Sequence, residues 1–355
     1  SDGLRGVVES CLSDSLGGAP VTVGDVCFEL RMPSMHLTLL AYDVALSLDD
    51  SSVVVPEASA VFEPGALLRF VPSEIRFSGA ELDLTIGEDG ASTAPAGLLA
   101  VLAGPAMNDG AIIERSRQLR VDSSSFTLRS GDPALAPLSF GEVELEVMMA
   151  ADGTFVASFD GRRLSGKGPG GRISVAAIGD AGSMDMRLDV KVDDFRLAAL
   201  SPFLPQLPEA LSDIGSTSGN ANVMLTAGKI VAADIDMVAL GGRLDLSPAG
   251  LPVLEYDTAS VIMEYKGETG SLVLAQGELA LADGRTLALS GDVDALHGPT
   301  PQLAFRFRGN RWPIEQIYAD WPSGLADAAR AGLQRRFSGG DLADCPIEGP
   351  GGIDC

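Results

Sequence analysis

Leu188-Asp189-Val190-Lys191-Val192 alternates apolar and charged residues without a break. A pleated strand sends successive side chains to opposite faces, so Leu188, Val190 and Val192 share one face while Asp189 and Lys191 share the other. The same period of two recurs in Val26-Cys27-Phe28-Glu29-Leu30, Ile75-Arg76-Phe77, Leu82-Asp83-Leu84-Thr85-Ile86 and Val143-Glu144-Leu145-Glu146-Val147. From about Val21 to Phe307 short runs of this kind follow one another, separated by Gly, Asp and Pro. The pattern predicts a mainly β chain. Either a second sheet or a ligand must cover its apolar faces.

Strands are expected at 21–30, 36–48, 52–62, 72–78, 80–87, 117–129, 138–149, 153–160, 171–178 and 183–193. Further strands are expected at 219–227, 229–239, 242–247, 252–265, 269–281, 285–293 and 301–308. Apolar runs meet at Ser78-Gly79-Ala80, Ala239-Leu240-Gly241-Gly242 and Ala282-Asp283-Gly284-Arg285, which read as turns of an antiparallel meander. Roughly 15–18 strands spaced at ~4.8 Å make a sheet about 70–85 Å long. An open sheet of that length must curl or split. The expected architecture is one long antiparallel meander curled into an open groove. A helix over 4–16 carries Leu4, Val8, Cys11, Leu12 and Leu16 on one face, and residues 95–108 read as a short helix or helical loop. Two Pro-interrupted segments, 196–214 and 312–337, fit helical spacing and are placed across a rim or end of the sheet. The organisation read from this is an N-terminal helix (1–20), a first sheet part (21–194), a helical insertion (195–218), a second sheet part (219–310), a C-terminal helical segment (311–342) and a flexible Pro/Gly tail (343–355).

The 355 residues include 49 acidic and 25 basic side chains, a formal net charge of −24. Nucleic acid is excluded as a partner, because phosphate binding needs clustered Lys and Arg. Mean hydropathy is +0.21, yet no run approaches the ~20 apolar residues of a spanning helix. Ser1 is not an initiator Met, and the expectation is a processed or trimmed chain. The four cysteines, Cys11, Cys27, Cys345 and Cys355, are too few for a disulfide framework. A Cys11–Cys27 bridge and a loop closed by Cys345 and Cys355 both stay open.

Catalytic signals are sparse. His36 and His297 are the whole histidine complement, so histidine-based metal sites and triads have little to draw on. Gly166-Lys167-Gly168-Pro169-Gly170-Gly171 has dinucleotide-loop spacing but precedes the strand-like Arg172-Ile173-Ser174-Val175 instead of a helix. Gly215-Ser216-Thr217-Ser218-Gly219 has Thr where a nucleophile elbow needs Ser. Carboxylates such as Asp189, Asp193, Asp194, Asp234, Asp236, Asp292 and Asp294 occupy polar strand positions. The reading is a non-enzyme, without cofactor or metal.

Three stretches carry a family resemblance. The first runs from Leu4 to Gly90, through Phe62-Glu63-Pro64-Gly65 and Ile75-Arg76-Phe77-Ser78-Gly79-Ala80. The second is Phe195-Arg196-Leu197 through Pro202 and Pro205 to Gly228-Lys229-Ile230, and the third is Trp312-Pro313, Trp321-Pro322, Arg330 and Gly339-Gly340. Together they resemble the AsmA-like superfamily of bacterial envelope proteins, of YhdP type, with a chorein-like lipid-transfer groove. The resemblance implies a periplasmic chain held to the inner membrane by an N-terminal anchor. It also implies phospholipid transport toward the outer membrane, other envelope proteins being further partners. The expected lipid-facing walls are Val26, Phe28, Leu30, Ile75, Phe77, Leu82, Leu84, Leu145, Val147, Leu188, Val190, Val223, Leu225, Leu272, Leu274, Phe305 and Phe307. The competing reading is a secreted or periplasmic β-rich scaffold or adhesion protein without cargo, whose two sheets bury each other.

Overall fold

In the computed structural model the chain is mainly β, with one helix of any length among the described residues. The structure describes residues 2–15, 20–31, 36–48, 51–63, 72–86, 118–130, 135–150, 152–164, 170–180, 183, 185–196, 199, 213–244, 253–294, 302–313, 315, 331, 334–335, 341–348 and 352–353. The elements are α1 (Asp2–Ser15), β1 (Val21–Thr22), β2 (Asp25–Arg31), β3 (His36–Leu48), β4 (Ser51–Phe62), β5 (Glu74–Ser78), β6 (Glu81–Ile86), β7 (Gln118–Ser130), β8 (Leu138–Met149), β9 (Thr154–Arg163) and β10 (Arg172–Asp180). They continue with β11 (Asp185–Arg196), β12 (Ile214–Thr226), β13 (Lys229–Leu244), β14 (Leu254–Lys266), β15 (Ser271–Leu281), β16 (Thr286–Asp294), β17 (Gln302–Pro313), β18 (Asp341–Glu348) and β19 (Gly352–Ile353). Two compact units divide the chain inside β11, between Leu188 and Asp189.

In the first unit β2 pairs with β3, β3 with β4, and β7 through β10 follow as antiparallel neighbours. The expected uniform meander fails at one place. β5 and β6 lie antiparallel to β4 on one side but parallel to β7 on the other. Parallel neighbours need a long crossover, and residues 87–117, outside the described set, supply the length. The helical reading of 95–108 falls there. Ser78-Gly79-Ala80 is therefore no hairpin. β5 and β6 are one strand interrupted in line, and Gly79 takes φ +70°, which glycine adopts without penalty.

That interruption belongs to a line of breaks crossing the unit. On β3 the row positions Leu37, Leu39 and Ala41 are followed by Val44 and Leu46, so the period of two slips by one at Asp43 (φ +52°). On β7 it slips between Leu119, Val121 and Phe126, Leu128, at Ser123 (φ +50°). On β8 it slips between Leu138, Phe140 and Val143, Leu145, at Glu142 (φ +52°). β4 slips at Pro56-Glu57, and β1 and β2 are separated at Val23-Gly24. Cross-strand registers put these slips at one level: Tyr42 faces Glu57, Glu57 faces Ser78, Ser78 faces Asp122 and Ser124 faces Val143. An extra residue in a strand bends it and raises its twist. The core gathers beside this fold line, in Val44, Val53, Val55, Ala80, Leu82 and Val121, with Leu4 and Val8 of α1 packed against it. Glu9 Oε1 accepts a 2.9 Å hydrogen bond from the Val23 N–H, tying α1 to the sheet. At the line itself buried Ser124 Oγ accepts from the Ala80 N–H at 2.9 Å and donates to the Asp122 carbonyl at 2.9 Å.

The second unit is the meander the sequence predicts, β12 to β19 pairing antiparallel in order. Several boundaries differ. Gly241 (φ +62°) is a bulge inside β13 and not a turn, because partner strands continue past it on both sides, Gly242 facing Ile214 and Tyr256. Gly215 on β12 meets it so closely that a Cβ would lie 1.4 Å from the Gly241 carbonyl oxygen. Ile214–Ser218, expected in the helical insertion, open β12, and Phe195-Arg196 close β11. The rest of that segment lies outside the described residues, except Ala199 and Asp213. Trp312 and Pro313 end β17 instead of starting a helix, and Leu342 and Asp341 of β18 face them. Most of 314–340 is outside the described set. The expected flexible tail contributes β18 and β19 as strands. Ala282-Asp283-Gly284-Arg285 is the turn expected, closed by the Leu281 N–H on the Arg285 carbonyl at 2.9 Å.

Candidate functional site

Apolar strand residues line up across each unit in uninterrupted rows. In the first unit Val26, Ala41, Ala58, Phe77, Val121, Leu145, Phe159 and Val175 are successive cross-strand partners from β2 to β10. One step along the strands, Phe28, Leu39, Ala60, Ile75, Leu119, Val147, Ala157 and Ala177 form a second row. Beyond the fold line Leu46, Val53, Leu82, Phe126 and Phe140 form a third. Phe140 stacks with Phe126 and meets Phe159 edge-on, both at 6.4 Å between centroids, which links rows on the two sides of the line.

The second unit repeats the arrangement. Val223, Ala233, Tyr265, Leu272, Val293 and Leu303 make one row. Ala221, Ile235, Met263, Leu274, Gly291 and Phe305 make the next, and Gly219, Met237, Val261, Gly277, Leu289 and Phe307 a third. Leu225 faces Ile230 at the hairpin end.

Of the residues predicted to line a lipid surface, Val26, Phe28, Ile75, Phe77, Leu82, Leu145 and Val147 come together in the first unit. Val223, Leu272, Leu274, Phe305 and Phe307 come together in the second. Leu30 extends the first set opposite Leu37, and Leu84 faces Leu128. The side chains of Leu84, Phe305 and Phe307 lie outside the described set. Leu188 and Val190 are half-buried on one face of β11, one on each side of the unit boundary. Residues the sequence reading passed over, among them Phe159, Val175, Ile235, Met263 and Leu289, obey the same alternation, which could have found them.

Cover over these rows is uneven. Near the fold line Val26, Ala41, Val121, Ile75 and Leu119 are buried. Toward β10, Leu145, Phe159, Val175, Val147, Ala157 and Ala177 are only half-buried. In the second unit Ala221, Ala233 and Val293 are buried, and the other described row residues are half-buried. A strand face sealed by a second sheet buries its large apolar side chains almost fully. Here 154–159 of β9 and 185–191 of β11 alternate half-buried with exposed, and β11 becomes buried only at Val192 and Phe195.

The opposite faces carry paired charges beside exposed apolar side chains, among them Met148, Val156, Ile178, Met224, Leu240 and Ile262. Arg129 grips Asp83 through two hydrogen bonds of 2.7 and 2.8 Å, and Arg76 pairs with Asp122 at 2.5 Å. Asp160 receives Arg172 at 2.6 Å and the Ser174 hydroxyl at 2.5 Å. Burial raises the Asp160 carboxyl, but the hydrogen bonds from Arg172 and Ser174 outweigh it and hold the group below the usual range. Burial also pushes the Tyr256 phenol up, against a weak bond from the Gly215 N–H at 3.4 Å.

Polar groups at the breaks serve the backbone. Asp194 (φ +49°) accepts from Ser216 Oγ, and its N–H donates to Ser218 Oγ at 2.9 Å. Thr217 is buried within β12, so Gly215 to Gly219 is a strand. Of the glycine-rich 166–171 stretch, Gly170 and Gly171 lead directly into β10, and the rest lies outside the described residues. His36 is half-buried in β3, and His297 is outside the described residues. Cys27 is an exposed free thiol, so a Cys11–Cys27 bridge is not formed. Among the described residues no group of three His, Cys, Asp or Glu side chains could hold a metal, and no helix is long and apolar enough to cross a membrane.

No protein-family model matches the chain, and neither the curated proteins nor the solved structures hold a match.

Proposed function

We propose that the chain binds phospholipid acyl chains along its apolar rows and contributes to lipid transport between the inner and outer membranes of a bacterial envelope. The observation that supports this reading is the incomplete cover of the rows: apolar side chains in register over many strands, buried near the fold line but only half-buried toward β10 and along most of the second unit's rows. An acyl chain of about 16 carbons costs on the order of 12 kcal/mol to expose to water, at ~0.8 kcal/mol per CH₂. A continuous aliphatic surface lowers that cost without chemistry, so no catalytic group, metal or cofactor is assigned. The rows supply many equivalent contacts and few polar anchors, which suits sliding better than tight recognition. The place of action on this reading is the periplasm, with the inner membrane and other envelope proteins as partners. Sequence motifs of AsmA-like type favour this reading over a scaffold without cargo.

The test is mass spectrometry of lipid extracted from the protein purified without detergent, together with transfer of a fluorescent phospholipid from donor vesicles. Co-purified phospholipid and saturable uptake are expected. A protein that carries no lipid and takes none up from vesicles overturns the reading.

A further inference from the structure

The apolar rows of the first unit end at a sheet edge. β2 pairs with β3 along its length, and among the described residues no other strand pairs with it. The Val26 N–H donates to the neighbouring Asp25 Oδ1 at 2.8 Å. Natural edges are guarded by Lys, Pro, a bulge or an overlying element. Asp25–Arg31 contains neither Lys nor Pro. Phe28 is 52% exposed and Leu30 54%, although both continue the apolar rows.

This edge is complementary to itself. Set antiparallel to an identical strand with Phe28 opposite Phe28, it brings Val26 opposite Leu30 at both ends of the pair. The same register sets Asp25 opposite Arg31 twice, once at each end, as a two-fold axis requires. Shifting the register by one residue would set Asp25 opposite Leu30 and turn the apolar residues to opposite faces. Charge and apolar pattern thus select a single alignment.

We propose that β2 is a homodimerisation edge, its occupant the β2 strand of a second copy. The apolar rows then run on without interruption from one copy into the other. The contact is a short strand pair on a strongly acidic chain, so the dimer is a weak one and favours moderate salt, which screens repulsion beyond about 10 Å at 0.1 M.

Sedimentation velocity of the full chain over the micromolar to submillimolar range, in moderate salt, tests this. The wild type should pass from monomer to dimer with concentration. Phe28→Lys, at an exposed position that leaves the core untouched, should abolish the dimer while circular dichroism stays unchanged. Asp25→Arg and Arg31→Asp should each be monomeric alone, and an equimolar mixture of the two should dimerise, since each then meets its opposite charge. That rescue distinguishes loss of the contact from loss of folding. A wild type that stays monomeric throughout overturns the proposal, and so does a dimer that survives Phe28→Lys. A mixture that fails to associate overturns the register.

Discussion

Ser123 is exposed, sits in a strand, and holds φ at +50°. Strand propensity alone would favour Val there. The left-handed backbone reverses the preference, because a β-branched side chain in that region is strongly strained. Ser123→Val is expected to destabilise by about 1–3 kcal/mol, whereas Ser123→Gly is expected to fall within about 1 kcal/mol of wild type, both measured by urea unfolding. Asp160 makes a different prediction. Its carboxyl is held below the ordinary value near 3.9. A depressed group adds stability that is fully present above its unfolded value and disappears as pH falls through its folded value. Asp160→Asn should therefore be less stable than wild type at neutral pH. The difference should close as pH drops below about 4; a gap unchanged from pH 7 to pH 2 would refute the assignment. Neither residue announces itself in the sequence. Ser123 reads as a polar strand position and Asp160 as one carboxylate among many, since both roles depend on a neighbouring strand.

At the scale of the element, β8 shows why the strands were legible and the fold line was not. Val143, Leu145 and Val147 display the alternation plainly, and Leu138 and Phe140 display it in the other phase. The slip between them is visible in the letters, yet a run of alternation does not say whether a break is a turn, a bulge or an end. Partner strands decide that. β8 runs on through Glu142 because β7 and β9 flank both halves, and β13 runs on through Gly241 for the same reason. Deleting Glu142 would put Leu138, Phe140, Val143, Leu145 and Val147 in one unbroken period of two, so a regular strand would carry all five on one face but without the bend and extra twist that the added residue supplies. The deletion should lower the melting temperature of the protein by misfitting β8 to the bent β7, whereas Glu142→Gly should leave it near wild type; an unchanged thermal melt for the deletion would disprove the bending role. The crossover that makes β7 parallel to β5 and β6 was equally hidden, because alternation carries no direction.

For the whole molecule, the question posed by the sequence is what covers the apolar face. Leu145→Asp and Leu225→Asp separate the answers. Both positions are half-buried, so water can partly solvate the carboxylate. The expected result is a folded protein, with stability lowered by about 1–2 kcal/mol, that loses co-purified lipid. Unfolding of both variants would mean that the positions are sealed, since an unpaired buried charge costs several kcal/mol. The sequence by itself determined the β class and the alternation within most strands, because period two is a local property of the backbone. It also determined the acidic balance of the chain. Only the tertiary structure decided which strands are neighbours, that β5 and β6 run parallel to β7, and that strands slip in phase along a common line. It also set how far each row is covered. Pairing, register and cover are contacts between residues distant in the chain, and their free energy depends on which partner arrives, which no local pattern encodes.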